Sequence, residues 1–213
     1  PLPTYAWQRE RCWVETPERA ARQAGEATGH PLLGVRVPAA GTSAVFEAVV
    51  GLGSHRWLGD HRVAGQVLVP GAAVAELVRA AAEQGASSHG RVTGLVLQRP
   101  LVLPATGARR VQVVLSEGNG EAATVAVYSQ PAESGPEAGW TLHATATVAP
   151  EEAGAQPGAL DLSAVQERCA EAVEVGEVYS RFGELGLAYG PAFQGLRSLW
   201  RGEGESLAEV ALP

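Results

Sequence analysis

The chain has 213 residues, of which 46% are hydrophobic and 18% charged, and its formal net charge is −7. These values favour a soluble globular protein with one domain or two small ones. The acidic balance argues against a general nucleic-acid binder, and no apolar run approaches the roughly 20 residues that span a bilayer. With only Cys12 and Cys169, two reduced thiols in the cytoplasm are the simpler interpretation, and no disulfide framework is expected.

Residues 1–29 are predicted to form an N-terminal linker, in which Tyr5, Trp7 and Trp13 can pin an extended segment onto a neighbour. A signal peptide is not expected, because a basic start followed by an apolar segment is missing. The absence of methionine, even at position 1, indicates a piece of a longer polypeptide.

The first predicted strand covers residues 44–50, with Phe46, Ala48 and Val50 on one face. The most informative stretch, residues 57–71, follows it.

In that stretch His61 precedes a turn containing Gly65, and Pro70 with Gly71 opens a helix that ends near Gly85. One buried stripe of this helix is predicted from the i, i+3, i+4, i+7 spacing of Val74, Leu77, Val78 and Ala81. The free N–H groups near Gly71 make a small positive pole. If both lie at one place, the helix terminus can polarise a carbonyl group while the imidazole removes a proton from the carbon next to it.

Further strands are predicted at residues 92–103, interrupted by Pro100, and at residues 110–116 and 122–128, which flank a hairpin signal at 117–120. Residues 140–148 alternate strictly between apolar and polar side chains. The side chains predicted to point inward are Trp140, Leu142, Ala144, Ala146 and Val148. His143 is predicted to be solvated on the polar side.

After a linker at 150–160, Asp161 or Ser163 is predicted to cap a short helix that runs to about Ala172. A second helix, with Val178, Phe182 and Leu185 on one side, is predicted to end at Gly186. Two strands, at 196–200 and 206–212, complete the chain. One strand, one helix and several antiparallel strands favour a helix wrapped by an antiparallel sheet over a doubly wound sheet.

Two motifs carry a family resemblance. The spacing His61-xxx-Gly65-xxxx-Pro70 matches the HxxxGxxxxP motif of dehydratase domains of modular polyketide synthases, and residues 189–193, YGPAF, resemble their YGPxF segment. Residues 1–29 also resemble the segment that follows acyltransferase domains in these synthases.

The resemblance implies an α+β double hot-dog fold. Residues 30–149 would form the N-terminal hot dog, 150–172 the linker between halves, and 173–213 the start of a C-terminal hot dog, with the second half incomplete.

The resemblance also implies roles for single residues. His61 would be the base that removes the α-proton of a β-hydroxyacyl thioester, and the backbone N–H of Gly71 would polarise the thioester carbonyl. Gly65 and Pro70 would shape the turn and the helix start. Tyr189, Gly190 and Pro191 would lie near the active site, where Tyr189 either hydrogen-bonds the substrate or its catalytic partner, or only packs beside the Gly-Pro turn.

The acid that the family uses is an aspartate in a DxxxQ or DxxxH motif downstream of the YGPxF segment. The chain contains only Asp60 and Asp161, and neither fits, so the acid is expected after Pro213. The resemblance implies no cofactor in the domain itself, since the substrate is carried on the phosphopantetheine arm of an acyl carrier protein. It further implies contact with neighbouring synthase domains, a homodimer and a cytoplasmic location, with no membrane or nucleic-acid partner.

Three alternatives remain open at this point. A metal site at His55 and Asp60 lacks a third ligand. The family resemblance implies an enzyme of the hydro-lyase class. A dehydratase-like domain without its acid could instead serve as a non-catalytic scaffold. A hot-dog thioesterase acting on acyl-CoA is the weakest, because the N-terminal linker and the missing start methionine argue against it.

Overall fold

The computed structural model describes residues 25–41, 43–85, 90–116, 122–135, 137–150 and 158–212. Within these ranges the strands are, in chain order, β1 (Glu26–Ala27), β2 (Val35–Val37), β3 (Ala44–Val50), β4 (His61–Val63), β5 (Gln66–Leu68), β6 (Gly90–Leu97), β7 (Val102–Leu103), β8 (Arg109–Ser116), β9 (Ala123–Pro131), β10 (Thr141–Pro150), β11 (Glu171–Val173), β12 (Leu187–Tyr189), β13 (Leu196–Arg201) and β14 (Ser206–Val210). The helices are α1 (Gly71–Gly85), α2 (Leu162–Arg168) and α3 (Val175–Glu184), with short 3-10 helices at Arg56–Asp60 and Pro191–Phe193. Most of the predicted N-terminal linker, the 117–120 turn, most of the 150–160 linker, Cys12 and Pro213 lie outside the described residues.

Seven strands form one antiparallel sheet in the order β1-β2-β3-β8-β9-β10-β6. The central helix α1 packs against β6, β8, β9 and β10 of this sheet. Alternate residues of the strands are buried beneath it, including Phe46, Val113 and Val127. This arrangement, a helix wrapped by an antiparallel sheet, confirms the predicted α+β hot-dog fold.

Helix α1 buries the predicted stripe of Val74, Leu77, Val78 and Ala81. Burial of each larger apolar side chain contributes about 1.5–3 kcal/mol. The helix ends at Gly85, where a Cβ would lie 2.6 Å from Cδ2 of Leu115. The small residue therefore lets the end of the helix approach the sheet.

The predicted alternation of β10 is wrong at its beginning, because the strand contains a bulge. Leu142 pairs with Tyr128 and Ala144 with Val127, so His143 is the extra residue. One extra residue inverts the alternation on its N-terminal side. His143 and Ala144 are consequently both buried, whereas Trp140 is 38% exposed. The predictions that Trp140 points inward and that His143 is solvated are therefore wrong.

A four-stranded sheet, β12-β4-β5-β7, joins the two parts of the chain. Its antiparallel pairing sets Tyr189 of β12 opposite His61 of β4, and Leu187 opposite Val63. Strands β11, β13 and β14 form a separate three-stranded sheet. The two sequence motifs therefore lie on adjacent strands.

The short helix α2 is capped by Asp161, whose carboxylate accepts hydrogen bonds from the backbone N–H groups of Ser163 and Ala164 at 3.1 and 3.2 Å. Of the two predicted caps, Asp161 is the one used. The helix ends at Arg168 instead of the predicted Ala172, because residues 171–173 pair with β13. This tertiary pairing outweighs their local helical pattern.

The second predicted helix is present as α3, and Gly186, with φ 83°, follows its end. Leu185 lies beyond the last helical residue and is 64% exposed, so its predicted packing beside Val178 and Phe182 is wrong. In the part of the chain that the structure describes, no helix combines the length and apolarity needed to cross a membrane.

Candidate active site

His61 is the first residue of β4, and its Nδ1 lies 3.0 Å from the carbonyl oxygen of Leu68 on β5. Because a carbonyl only accepts, Nδ1 carries a proton, and in the neutral imidazole Nε2 is then the nitrogen with the lone pair. The turn between the two strands has Ala64 at φ 48° and Gly65 at φ 80°, a left-handed pair typical of a type I′ hairpin. This tight turn brings β5 beside β4, so that the carbonyl of Leu68 can orient the imidazole.

The amino end of α1 reaches the same region. Pro70 directly precedes the helix, and its carbonyl accepts the N–H of Val74 at 3.1 Å. The N–H groups of the first turn, beginning with Gly71, therefore have no partner within the helix, and they carry its partial positive charge. A Cβ at Gly71 would lie 3.1 Å from Cδ1 of Leu97, so glycine allows that side chain to approach the helix end.

His61 and Gly71 line one cavity of about 350 Å³. The other described residues lining it are Val63, Leu68, Val69, Val74, Leu97, Gln98, Arg99, Pro100, Leu101 and His143. Apolar walls with a few convergent polar groups are typical of a small-molecule site. No carboxylate is among these lining residues.

Aromatic rings from the second motif cover the imidazole. The ring of Tyr189 stacks on His61 with centroids 5.4 Å apart and an interplanar angle of 20°. Phe193 lies 5.1 Å from the same ring, and Trp57 lies 5.9 Å from Phe193. The YGPxF motif predicts Tyr189 near the site, whereas the contact of its last residue, Phe193, with His61 is seen only in the structure.

Asp60 fastens the second motif beside His61. Its backbone carbonyl accepts the N–H of Gly190 at 2.8 Å, and its Oδ2 accepts the N–H of Ala192 at 2.9 Å. A Cβ at Gly190 would lie 2.5 Å from Cγ of Asp60, so this position requires glycine. Pro191 then begins the 3-10 helix that carries Phe193. This role of Asp60 was not predicted from the sequence, because its partners are distant in the chain.

A second imidazole, that of His143, also lines the cavity. Its Nε2 lies 2.8 Å from the hydroxyl of Ser129, and its Nδ1 lies 3.2 Å from the carbonyl oxygen of Arg99. Burial lowers the pKa of His143 below its ordinary range. Only knowledge of the bulge in β10 would have predicted this inward position.

His55, considered above as a metal ligand, contacts other groups. Its Nδ1 lies 2.8 Å from the hydroxyl of Ser54, and its Nε2 lies 3.0 Å from the carbonyl oxygen of Pro31. The described residues contain no cluster of three or more His, Cys, Asp or Glu side chains that could hold a metal ion.

Residues 30–130 match the family described as "Polyketide synthase dehydratase domain", and residues 157–213 match that described as "Polyketide synthase dehydratase N-terminal domain". The polyketide synthase GfsA of Streptomyces halstedii is 41% identical over 217 residues, a match that covers 99% of this chain. The chain spans only 3% of the length of that relative.

Solved structures give the same result. The dehydratase domain from the terminal module of the rifamycin polyketide synthase is 34% identical, with a TM-score of 0.78 over 89% of this chain and 69% of that one. The CurK dehydratase of the curacin synthase is 28% identical, with a TM-score of 0.76 over 86% of this chain and 64% of that one. His-to-Phe and Asp-to-Asn variants of the CurK dehydratase are described as inactive.

Proposed function

The chain belongs to the polyketide synthase dehydratase family, and we propose that it dehydrates a β-hydroxyacyl chain on an acyl carrier protein to the α,β-enoyl thioester. In this reaction a C–H bond at the α-carbon and a C–O bond at the β-carbon break, a carbon–carbon double bond forms, and water leaves. The reaction needs a base, a group that stabilises negative charge on the thioester oxygen, and an acid for the departing hydroxyl.

The observation that carries the proposal is the hydrogen bond between His61 and Leu68. In the neutral imidazole it makes Nε2 the accepting nitrogen, at a cavity that is otherwise mostly apolar. In our proposal this nitrogen accepts the α-proton, and the electron pair of the broken C–H bond becomes the new double bond. The rings of Tyr189 and Phe193 restrict the orientation of the imidazole.

Gly71 is proposed to stabilise the developing charge. Its N–H group is at the positive end of α1 and has no partner within the helix. A thioester carbonyl directed at this N–H would have a more acidic α-carbon. Gly65 and Pro70 are proposed to shape the hairpin and the helix start that bring the two groups together.

The acid is proposed to lie in sequence that follows Pro213. Both aspartates of the chain already have structural partners, since Asp60 holds Ala192 and Asp161 caps α2. The family resemblance places an aspartate motif downstream of the second signature. Our proposal therefore assigns to this chain the base and the polarising N–H group.

The acyl carrier protein and the neighbouring synthase domains are the proposed partners, with the substrate bound through a phosphopantetheine arm and no cofactor in the domain itself. The domain boundaries at 30–149 and 173–213, homodimerisation and the cytoplasmic location remain predictions from the family resemblance.

The test is substitution of His61 by Phe in the intact synthase polypeptide that carries this chain. A β-hydroxyacyl thioester on the acyl carrier protein is the substrate, and loss of water is followed by mass spectrometry. Removal of a general base should lower the rate by about 10²–10⁴-fold. The matched control is His55→Phe, since that imidazole also binds a serine hydroxyl and a backbone carbonyl but is not among the cavity-lining residues.

Unchanged dehydration in the His61→Phe variant would contradict the proposal and favour the scaffold interpretation. Equal losses in both variants would also contradict it, because they would indicate a general effect on folding. Far-ultraviolet circular dichroism of each variant separates loss of activity from loss of structure.

A further inference from the structure

His143 is a buried, titratable residue at the cavity that the proposed reaction does not use. Its side chain is nearly inaccessible, with 6% of the residue exposed. It reaches the cavity only because β10 has a bulge at this position. Bulges that redirect one side chain are frequently found beside functional sites.

The residue is hydrogen-bonded to the cavity wall formed by Gln98, Arg99, Pro100 and Leu101, here named the 98–101 segment. The carbonyl of His143 accepts the N–H groups of Gln98 and Arg99 at 2.8 and 3.2 Å. Its ring Nδ1 lies 3.2 Å from the carbonyl of Arg99 and must therefore carry the proton.

On the other side of the ring, Nε2 accepts the hydroxyl of Ser129 on β9 at 2.8 Å. With its proton assigned to Nδ1, a neutral His143 thus connects the large sheet to the 98–101 segment.

The 98–101 segment in turn contacts the elements that hold the base and the helix end. The carbonyl of Leu101 accepts the N–H of Val69 at 2.9 Å. Val69 is the neighbour of Leu68, whose carbonyl orients His61, and it precedes Pro70 at the start of α1. A shift of the 98–101 segment would therefore move both the imidazole of His61 and the N–H of Gly71.

We propose that His143 is a positioning residue, whose Nδ1–H holds the 98–101 segment in the place that aligns the acyl chain with His61 and Gly71. This inference rests on the proposed dehydration. A positioning role differs from a role in folding alone, because it depends on Nδ1 of His143 and not on the ring as a whole.

The experiment compares three substitutions in the intact synthase polypeptide. In His143→Asn the amide nitrogen can replace Nδ1 as the donor to Arg99, whereas in His143→Gln the amide extends to the position of Nε2. His143→Leu removes both polar groups. We expect kcat close to the native value for Asn, and a fall of about 10- to 100-fold for Gln and Leu with a smaller change in KM, as for a misaligned substrate.

Hydrogen exchange of the peptide that contains residues 98–101 gives a readout without turnover. Loss of one hydrogen bond should accelerate its exchange by a few-fold to about tenfold in His143→Leu, but not in His143→Asn. The matched control is His55→Leu, because the ring of His55 also contacts one serine hydroxyl and one backbone carbonyl, and His55 is not among the cavity-lining residues. It should change neither kcat nor this exchange.

A native kcat in a folded His143→Leu variant would overturn the inference. An equal loss of kcat in His143→Asn and His143→Leu would also overturn it. If His143→Leu does not fold, the comparison of Asn with Gln decides alone. If the synthase dehydrates normally without His61, the proposed function fails, while hydrogen exchange still tests the link between His143 and the 98–101 segment.

Discussion

The ring of His61 lies against the ring of Tyr189, with centroids 5.4 Å apart and planes inclined by 20°. The same two residues pair across β4 and β12, so backbone register and ring stacking act together. Asp60 adds two hydrogen bonds to the chain just after Tyr189. The second motif is therefore a support for the candidate base, although the two motifs are far apart in the sequence.

Substitutions of Tyr189 can separate its ring from its hydroxyl. We expect Tyr189→Phe to keep dehydration within about threefold, because the stacked ring is retained. Tyr189→Ala should lose tenfold or more, since misorientation of a reacting group by about 1 Å is costly. Steady-state kcat measures both. If Phe is as damaging as Ala, the hydroxyl and not the ring carries the role.

Gly190 should tolerate no side chain. A Cβ there would lie 2.5 Å from Cγ of Asp60, so Gly190→Ala must displace Asp60 or the second motif. We expect a loss of about 1–3 kcal/mol in the free energy of unfolding, as for other overpacked sites.

The matched control is Gly183→Ala within α3, where, apart from the neighbouring residues and the backbone of the helix itself, no described atom lies within 4 Å of the added Cβ. This change should stabilise the protein by up to about 1 kcal/mol, because alanine is the better helix former. Urea denaturation measures both variants. Equal stabilities of Gly190→Ala and the native protein would contradict the close approach of Asp60.

The elements that local pattern determines were predicted well. The stripe of Val74, Leu77 and Val78 has a helical period and is buried, and the i+3, i+4 spacing alone predicts it. Strand β3 likewise buries the face that includes Phe46 and Val50, as its alternation indicates.

The parts that failed depend on contacts between distant residues. A bulge leaves no signature in the pattern of residues 140–148, yet it decides that His143 faces the cavity. Pairing of residues 171–173 with β13 likewise ended α2 earlier than its own sequence indicated. For the site, motif spacing led to His61 and Gly71, whereas the supports provided by Asp60 and Phe193 required the tertiary structure.

Gly71 offers a test of the proposed polarising N–H. Proline is tolerated in the first turn of a helix, where its missing N–H costs no intrahelical bond. Gly71→Pro should therefore preserve α1 while deleting the N–H, and kcat should fall by about 10²–10³-fold. Gly71→Ala is the control, because it keeps the N–H and displaces only the tip of Leu97, which is 54% exposed. Equal rates for Pro and Ala would exclude this N–H from the reaction.

Burial of His143 should make the stability of the fold depend on pH. Burial lowers the pKa of this imidazole below its ordinary value of 6.5. The positive charges of Arg109 and Arg99 lower the pKa further, whereas hydrogen bonding to the backbone at Arg99 and Pro100 acts in the opposite direction. Between the lowered pKa and 6.5 the unfolded chain binds a proton that the folded chain does not. The free energy of unfolding should thus fall as the pH decreases through this window, and His143 should contribute no slope above it.

Urea denaturation of the native protein and of His143→Asn, between about pH 5 and about pH 7.5, measures this effect. One titrating group changes the free energy of unfolding by at most about 1.4 kcal/mol per pH unit. The Asn variant lacks the group, so its curve should be shallower than the native curve below pH 6.5 and parallel to it above. Parallel curves over the whole range would show that His143 binds its proton equally in both states, which contradicts its burial as a neutral ring.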